Sequence, residues 1–463
     1  MEWKFLHWLH SRVITLMFPM ILGTSVYGEE SSLNIRVDAN QNIRIEWQVV
    51  DLAPAIETIL SPRYELQLST NLHEWIPVSE SYQDSSVDIE PGSVTMAVHG
   101  HSIQTGFFRL KVFNDFSYHN LAQANLKDTQ FPNSSFFGAD LFAADLSRSD
   151  FSFSDLSGSD LRHAILASTK LNGARLFGSR MFKANFSHAD LRNADLSYSE
   201  LTEADFFGAT LSGVDFSEAI LQNAQFDFAD LRGADFSRAL KVPEKWILIH
   251  NLVNGDGDIL DLVGKDLSFS DLRKTDLSGT LMQNSNLIAS DLRGAILKGT
   301  NLTGADVRFV DFRNVEIDEA SRLPQKTKRV IRIVNDGGFR MSLRGVDLSA
   351  LLLIESDLRQ ATLINANLAF SILTGSDLSG SILQRANLRQ TDLSRVNLSQ
   401  AVLSMADLSN ALLIDADLSN ADLSFANLRN TDLTGANLFE TNLENAVFDN
   451  TRMPDGTLRF SRP

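Results

Sequence analysis

Three groups of side chains in this sequence could do chemistry. The first is a run of cations, Lys326, Lys328, Arg329, Arg332 and Arg340, flanked by Arg322 and Arg344. These groups are donor-only and permanently charged, so their clustering makes a patch suited to carboxylate, phosphate or sulfate. They define a candidate binding patch for an acidic partner or a phosphate-bearing glycan. The competing reading is a solvated face that balances nearby aspartates. The second group is His99 and His101, which would share one face of a strand and could begin a metal site. No third ligand lies nearby, so they read as surface histidines. The third is Asn254-Gly255-Asp256-Gly257-Asp258, which resembles the opening of a calcium loop. That loop needs Gly at its sixth position and Glu at its twelfth. Ile259 and Lys265 stand there instead, and the segment reads as a helix-terminating turn.

No catalytic constellation is present. The chain has no cysteine, which removes thiol catalysis, disulfides and thiolate metal sites. Asp and Ser recur only because a repeat places them, and no Gly-x-Ser-x-Gly elbow or phosphate loop occurs. The expectation is a protein that is not an enzyme and holds no cofactor and no metal.

The elements that position these groups follow a five-residue beat. Leu or Phe returns every fifth residue, with Ala, Ser or Thr two places earlier and often Asp or Asn just before it, as in Ala421-Asp422-Leu423-Ser424-Phe425. Period five is neither helix nor flat strand. It requires a chain that turns at every repeat, with one small and one large side chain inward and three residues facing water. Three blocks result: Leu121 to Phe236, 24 repeats; Leu262 to Ile317, 12; and Leu343 to Phe448, 22. Phe186, Phe206 and Phe226 recur at twenty, as do Phe216 with Phe236 and Phe131 with Phe151, which predicts four repeats per coil and stacked rings. Backbone groups of one coil would then pair with the next.

Two gaps of equal length break the beat, Phe236 to Leu262 and Ile317 to Leu343. They are copies: Ala239, Pro243, Lys245, Val253, Asn254 and Gly257 match Ala320, Pro324, Lys326, Val334, Asn335 and Gly338. Each begins at a Pro and ends at an Asn/Gly stop, so each predicts a helix of about three turns, with inserts at 240–260 and 321–341. Val242, Trp246, Ile249 and Val253 form one helical face, repeated by Leu323, Val330 and Val334. The second helix carries the cations. The first instead adds Ile247, Leu248 and Leu252, apolar surface that reads as ordinary burial, with a possible apolar contact to a protein as the alternative. After Phe448, Met453 and Leu458 keep the beat around Pro454-Asp455-Gly456, a turn expected to blunt the open coil edge.

The chain opens differently. Lys4 and Arg12 precede an apolar core from Val13 to Leu22, and Val26-Tyr27-Gly28 offers a cleavage site. Residues 1–28 therefore read as a signal peptide. The core is too short to span a bilayer, so the processed protein is expected not to be transmembrane. The expected location is exported: periplasm, cell surface or extracellular. From 29 to 116 period two replaces period five, at Ile43-Ile45-Trp47, Tyr64-Leu66-Leu68 and Phe108-Leu110-Val112. This predicts an N-terminal antiparallel β-sandwich-like module. The run Tyr64 to Trp75 with Phe107-Phe108-Arg109-Leu110 resembles a fibronectin-III-like module of exported bacterial proteins.

Residues 117–463 resemble the pentapeptide-repeat family, whose pattern is Ala-(Asp/Asn)-Leu-(Ser/Thr/Arg)-x. The resemblance implies an all-β fold, a right-handed four-sided β-helix solenoid in three blocks with two short helical inserts. Some family members that lack signal peptides mimic DNA and act on gyrase. Here the net charge of −17 is uneven. Residues 29–115 hold 13 acidic and 5 basic residues, while the rest of the mature chain holds 44 against 34. A near-balanced solenoid and an export signal make a DNA-mimic gyrase modulator the remote alternative, and no nucleic-acid partner is expected. The leading expectation is an exported, non-enzymatic interaction or structural scaffold for protein or envelope partners. The second is anion or acidic-glycan binding through the basic insert.

Overall fold

The corner of each repeat is a left-handed residue. Gln123, Asp128 and Asn133, each two places after a large residue, have φ of 60°, 59° and 56°. The turn is closed by the small residue: Ala124 N–H donates to Leu121 O at 3.0 Å. This conformation costs an L-residue about 1–2 kcal/mol, which explains why Gly and Asn are frequent there. At Gly138 (φ 63°) a Cβ would also lie 2.8 Å from the ring of Tyr118.

Between corners, one residue per repeat bridges in parallel to the residue twenty further on, as in Asn120 with Asp140 and Asp140 with Asp160. Leu121 N–H donates to Asp140 O at 2.7 Å, and Asp140 N–H donates to His119 O at 2.9 Å. Four repeats therefore close one coil, as the phenylalanine spacing predicts. The aspartate before each large residue has a local task. Its carboxylate accepts the N–H two residues on, from Phe142 to Asp140 at 3.1 Å and from Ser147 to Asp145 at 2.9 Å. Such side-chain bonds satisfy amides that the coil leaves open. Inward hydroxyls cross between coils: Ser149 Oγ donates to Leu126 O at 2.6 Å and Ser371 Oγ to Leu348 O at 2.6 Å.

A computed structural model describes residues 115–255 and 261–460 in full, and the backbone strands between 33 and 113. The signal peptide at 1–28, His99 and His101, and Asp256 to Asp258 lie outside the described residues. The strands are β1 (Leu33–Val37), β2 (Ile43–Gln48), β3 (Arg63–Ser69), β4 (Ile76–Pro77), β5 (Ser85–Glu90), β6 (Ser93–Val98) and β7 (Phe107–Phe113). They pair antiparallel in two sheets, ordered β1-β2-β6-β5 and β4-β3-β7.

The described solenoid divides into two units. The first holds 115–225 with Gly233–Val242. Its core is a set of stacked columns. Phe186 lies on Phe206 with centroids 5.0 Å apart and planes at 7°, and Phe216 on Phe236 at 5.1 Å and 14°. Phe131 and Phe151 pair at 5.4 Å but tilt by 44°. The core begins one repeat before Leu121: Asp115 bridges Ser135, and Phe116 is buried. The beat misses this repeat because Asn114 stands where a small residue is expected.

The second unit holds Phe226–Arg232 and the chain from Pro243 onward. Its bridges run from Asp261 with Leu281 and, one phase later, from Ser342 with Thr362. The slip is visible where Asn301 bridges Arg322, one residue beyond the usual twenty. Two helices stand at the gaps, α1 (Glu244–Asn254) and α2 (Gln325–Asp336). A hairpin of β8 (Thr451–Arg452) and β9 (Leu458–Arg459) closes the unit. Arg452 still bridges Asp432, and the Arg459 guanidinium lies 3.6 Å over the Phe448 ring. Leu458 keeps the beat in sequence but is exposed, because the hairpin turns it away from the core.

Candidate functional site

The two helices are held by one device used twice. On α1, Lys245 Nζ lies 3.7 Å from Asp266 and 3.8 Å from Asp227, donates to Ser268 Oγ at 3.3 Å, and sits 4.5 Å over the Trp246 ring. On α2, Lys326 Nζ lies 2.9 Å from Asp347 and donates to Ser349 O at 2.9 Å. The last turn is tied the other way. Asn254 Nδ2 donates to Leu231 O at 3.3 Å, and Asn335 Nδ2 to Phe312 O at 3.1 Å. Lys245, Asp266, Ser268, Leu231 and Asn254 stand 81 residues before Lys326, Asp347, Ser349, Phe312 and Asn335. Lys326 therefore fastens α2 to the coil that follows, Lys245 lies between Asp227 before α1 and Asp266 after it, and the asparagine fastens each helix to the coil before. The solenoid resumes directly beneath: Phe228 N–H donates to Phe269 O, and Phe309 N–H to Ala350 O.

Burial acts on a different group in each latch. Burial is the largest influence on Lys245 and lowers its pKa, against the pull of Asp227 and Asp266. At the second latch burial again opposes the charge, but hydrogen bonds from Ser349 and Lys326 bring Asp347 down to about 2.

The buried faces differ in part from the helical stripe read in the sequence. α1 buries Trp246, Ile249 and Leu252, leaving Val242 and Val253 half-covered. Leu252 is therefore packed and not an outward contact; its place three residues after Ile249 rotates the seam toward it. Ile247 and Leu248 remain half-exposed. α2 buries Val330 with Thr327, Ile331 and Ile333, while Val334 is half-covered. Leu323, ahead of the helix, is buried.

The five candidate cations separate into two groups. Lys326 is spent on the latch. Arg340 donates to Gln360 Oε1 at 2.7 Å and lies 5.0 Å over Phe339. Lys328 and Arg332 face a groove of about 510 Å³, whose lining also includes Lys298, Val315, Ile317 and Ile331. Glu316 and Asp336 are its carboxylates. Lys298 is paired to Glu316 at 2.6 Å. Lys328, Arg329 and Arg332 form no ion pair among the described residues, and Arg329 is half-exposed.

Sequence reasoning passed over a charged column in the same unit. Arg232, Arg273, Arg293 and Arg313 each pair with the aspartate two residues earlier, at 2.8, 2.5, 2.6 and 2.7 Å. Arg232 also reaches Asp271 at 3.1 Å, Arg273 reaches Asp291 at 3.7 Å and Arg293 reaches Asp311 at 3.5 Å. Burial pushes the Asp291 carboxyl up despite Arg293. The signal was the Asp-Leu/Phe-Arg triplet at 230, 271, 291 and 311. Each charge in this column has a partner, so the column reads as structural bracing. Among the described residues no three His, Asp or Glu side chains gather as a metal site. No described helix is long and apolar enough to cross a membrane.

Parallel single-residue bridges every twenty residues, with a left-handed corner in each five, define a β-solenoid of five-residue repeats. The family profile described as Pentapeptide repeats matches in eight copies, at 144–181, 166–197, 184–223, 199–238, 281–317, 342–380, 381–420 and 416–453. The chain belongs to the pentapeptide-repeat family. Its fold is the family's right-handed quadrilateral β-helix, and proteins of this family are generally non-enzymatic structural or interaction scaffolds. Among solved structures, the pentapeptide repeat protein Rfr23 from the cyanobacterium Cyanothece is 33% identical. That match covers 27% of this chain and 97% of Rfr23, with a TM-score of 0.25. HetL from the cyanobacterium Nostoc, a pentapeptide repeat protein involved in heterocyst differentiation regulation, is 23% identical, over 75% of this chain and 94% of HetL, with a TM-score of 0.20. QnrB1, a plasmid-mediated fluoroquinolone resistance protein, is 18% identical over 44% of this chain and 92% of its own, with a TM-score of 0.16. No curated protein sequence matches the chain.

Proposed function

We propose that this protein is an exported, non-enzymatic scaffold that presents its insert helices to protein or cell-envelope partners. One observation carries the reading. Two copies of one docking device keep Lys245/Lys326 and Asn254/Asn335, yet they turn different residues outward: Ile247 and Leu248 on α1, Lys328 and Arg329 on α2. Latch chemistry explains the shared residues and leaves the differing ones to contact something else. The leader at 1–28 supports export, and the strands between 33 and 113 support a β-sandwich-like module at 29–116 ahead of the solenoid. The test is affinity capture from envelope extracts with the full chain and with a variant lacking 324–332. Loss of a discrete partner in the deletion supports the scaffold. A hydrolase or transferase activity on an envelope substrate sinks it. N-terminal sequencing of the exported protein should begin at Glu29; purely cytoplasmic material would contradict export.

A second reading, binding of anions or acidic glycans through α2, is favoured by the unpaired Lys328, Arg329 and Arg332. Replacing these three with Ser should abolish salt-sensitive retention on heparin or polyphosphate. Unchanged, salt-insensitive retention counts against it.

A further inference from the structure

We propose that the groove beside α2 receives an extended peptide segment of a partner protein, with a carboxylate side chain at one end and a branched aliphatic residue beside it. This rests on the scaffold reading and names the partner's chemistry.

The groove has order along its length. Lys328, Arg332 and Asp336 follow one another at successive helical turns. At about 1.5 Å per residue this spans about 12 Å, or about three to four residues of extended chain. Its volume of about 510 Å³ is in the range of ~300–1,000 Å³ usual for ligand clefts. Lys328 and Arg332, both exposed and without an ion-pair partner among the described residues, make one end cationic. Asp336 makes the other end anionic. Val315, Ile317 and Ile331 add an apolar strip to the lining, of which Ile317 is 38% exposed. Lys298 and Glu316, also in the lining, neutralise each other. A polyanion such as heparin or polyphosphate satisfies the cationic end only. It would leave the apolar strip wet and meet Asp336. A peptide that runs from carboxylate through aliphatic to a neutral or basic residue matches all three parts.

The duplication supplies an internal control. At the positions 81 residues before Lys298, Lys328 and Arg332, the first copy has Ser217, Ile247 and Asn251. The latch is intact in both copies, so the three cations are not needed to dock a helix. They belong to the groove.

The test uses the full chain and a fluorescein-labelled hexapeptide of two Glu, Leu-Val and Ser-Lys, read by anisotropy at low salt. Saturable binding is expected. Lys328→Ser with Arg332→Ser should weaken it about ten-fold, as should Gln for both Glu in the probe. Ile317→Ser should weaken it several-fold, and Ile247→Ser with Leu248→Ser should leave it unchanged. Each variant is compared with wild type for circular dichroism and melting temperature, and the Gln probe tests charge without altering the protein. No binding by the wild type, binding insensitive to the double Ser variant, or equal affinity for polyphosphate unaffected by Ile317→Ser overturns the peptide groove. If the double Ser variant still captures the same envelope partners, the groove fails and the scaffold stands.

Discussion

Lys326→Met separates the latch from the rest of the helix. The change keeps the stem and removes the ammonium, which contacts Asp347 Oδ2 and Ser349 O, each at 2.9 Å. Asp347 is held at about 2, against an ordinary 3.8. Burial opposes that shift; the Ser349 hydroxyl and amide share credit for it with Lys326. At about 1.36 kcal/mol per unit, the full shift is worth roughly 2.5 kcal/mol. The Asp347 side chain is 58% exposed, so solvent screening reduces the part due to Lys326 to about 0.5–1 kcal/mol. The expected result is about a two- to five-fold loss of hydrogen-exchange protection in α2 at pH 7, after correction for intrinsic rates, with block-three amides unchanged. The pH dependence has a definite sign. A carboxyl whose folded pKa is depressed contributes stability above its unfolded value and loses it as pH falls through the folded one. The difference between wild type and variant should therefore shrink from about pH 4 downward and vanish only below the folded value of about 2. A pH-independent difference, or a loss spread evenly over the unit, refutes the latch.

Three further changes probe the same unit. Thr327 Oγ1 is buried with no hydrogen-bond partner among the described residues, so Thr327→Val should raise the urea midpoint by about 1 kcal/mol equivalent; a lower midpoint contradicts this. Arg293→Met leaves Asp291 with only the more distant Arg273, 3.7 Å away, and should cost about 1.5–3 kcal/mol at pH 7. Because the Asp291 pKa is raised, its protonated form is the one the fold favours, so part of that loss should return as pH falls in urea melts. Gly338→Ala places a Cβ 2.6 Å from Leu358 Cδ2 and should lower stability by about 1–3 kcal/mol, measured by calorimetry; an unchanged melting temperature would mean that Leu358 yields freely.

Much of this was legible because a solenoid writes its geometry into the chain directly. The twenty-residue coil followed from phenylalanine spacing, and the slip from the gap lengths; Asn301 with Arg322 marks it in the structure. The 81-residue copy was visible in Pro243 and Pro324. What stayed hidden depends on facing partners. Lys326 and Lys328 are two residues apart on one helix, and only the position of Asp347 on the next coil decides which is spent. Leu252 stood with Ile247 and Leu248 as one apolar set, and only the packed helix shows that Leu252 alone of the three is buried. Gly and Asn mark many of the left-handed corners in the sequence, but period alone assigns them no conformation.

Site-specific photo-crosslinking in living cells tests the central claim most directly. A photoreactive residue placed at 332 in the groove should give a discrete protein adduct, and one placed at 365 on a block-three corner should give none. Adducts of equal yield from both positions, or none from 332 when the protein is present at its native level, would contradict a partner-binding surface at the second insert.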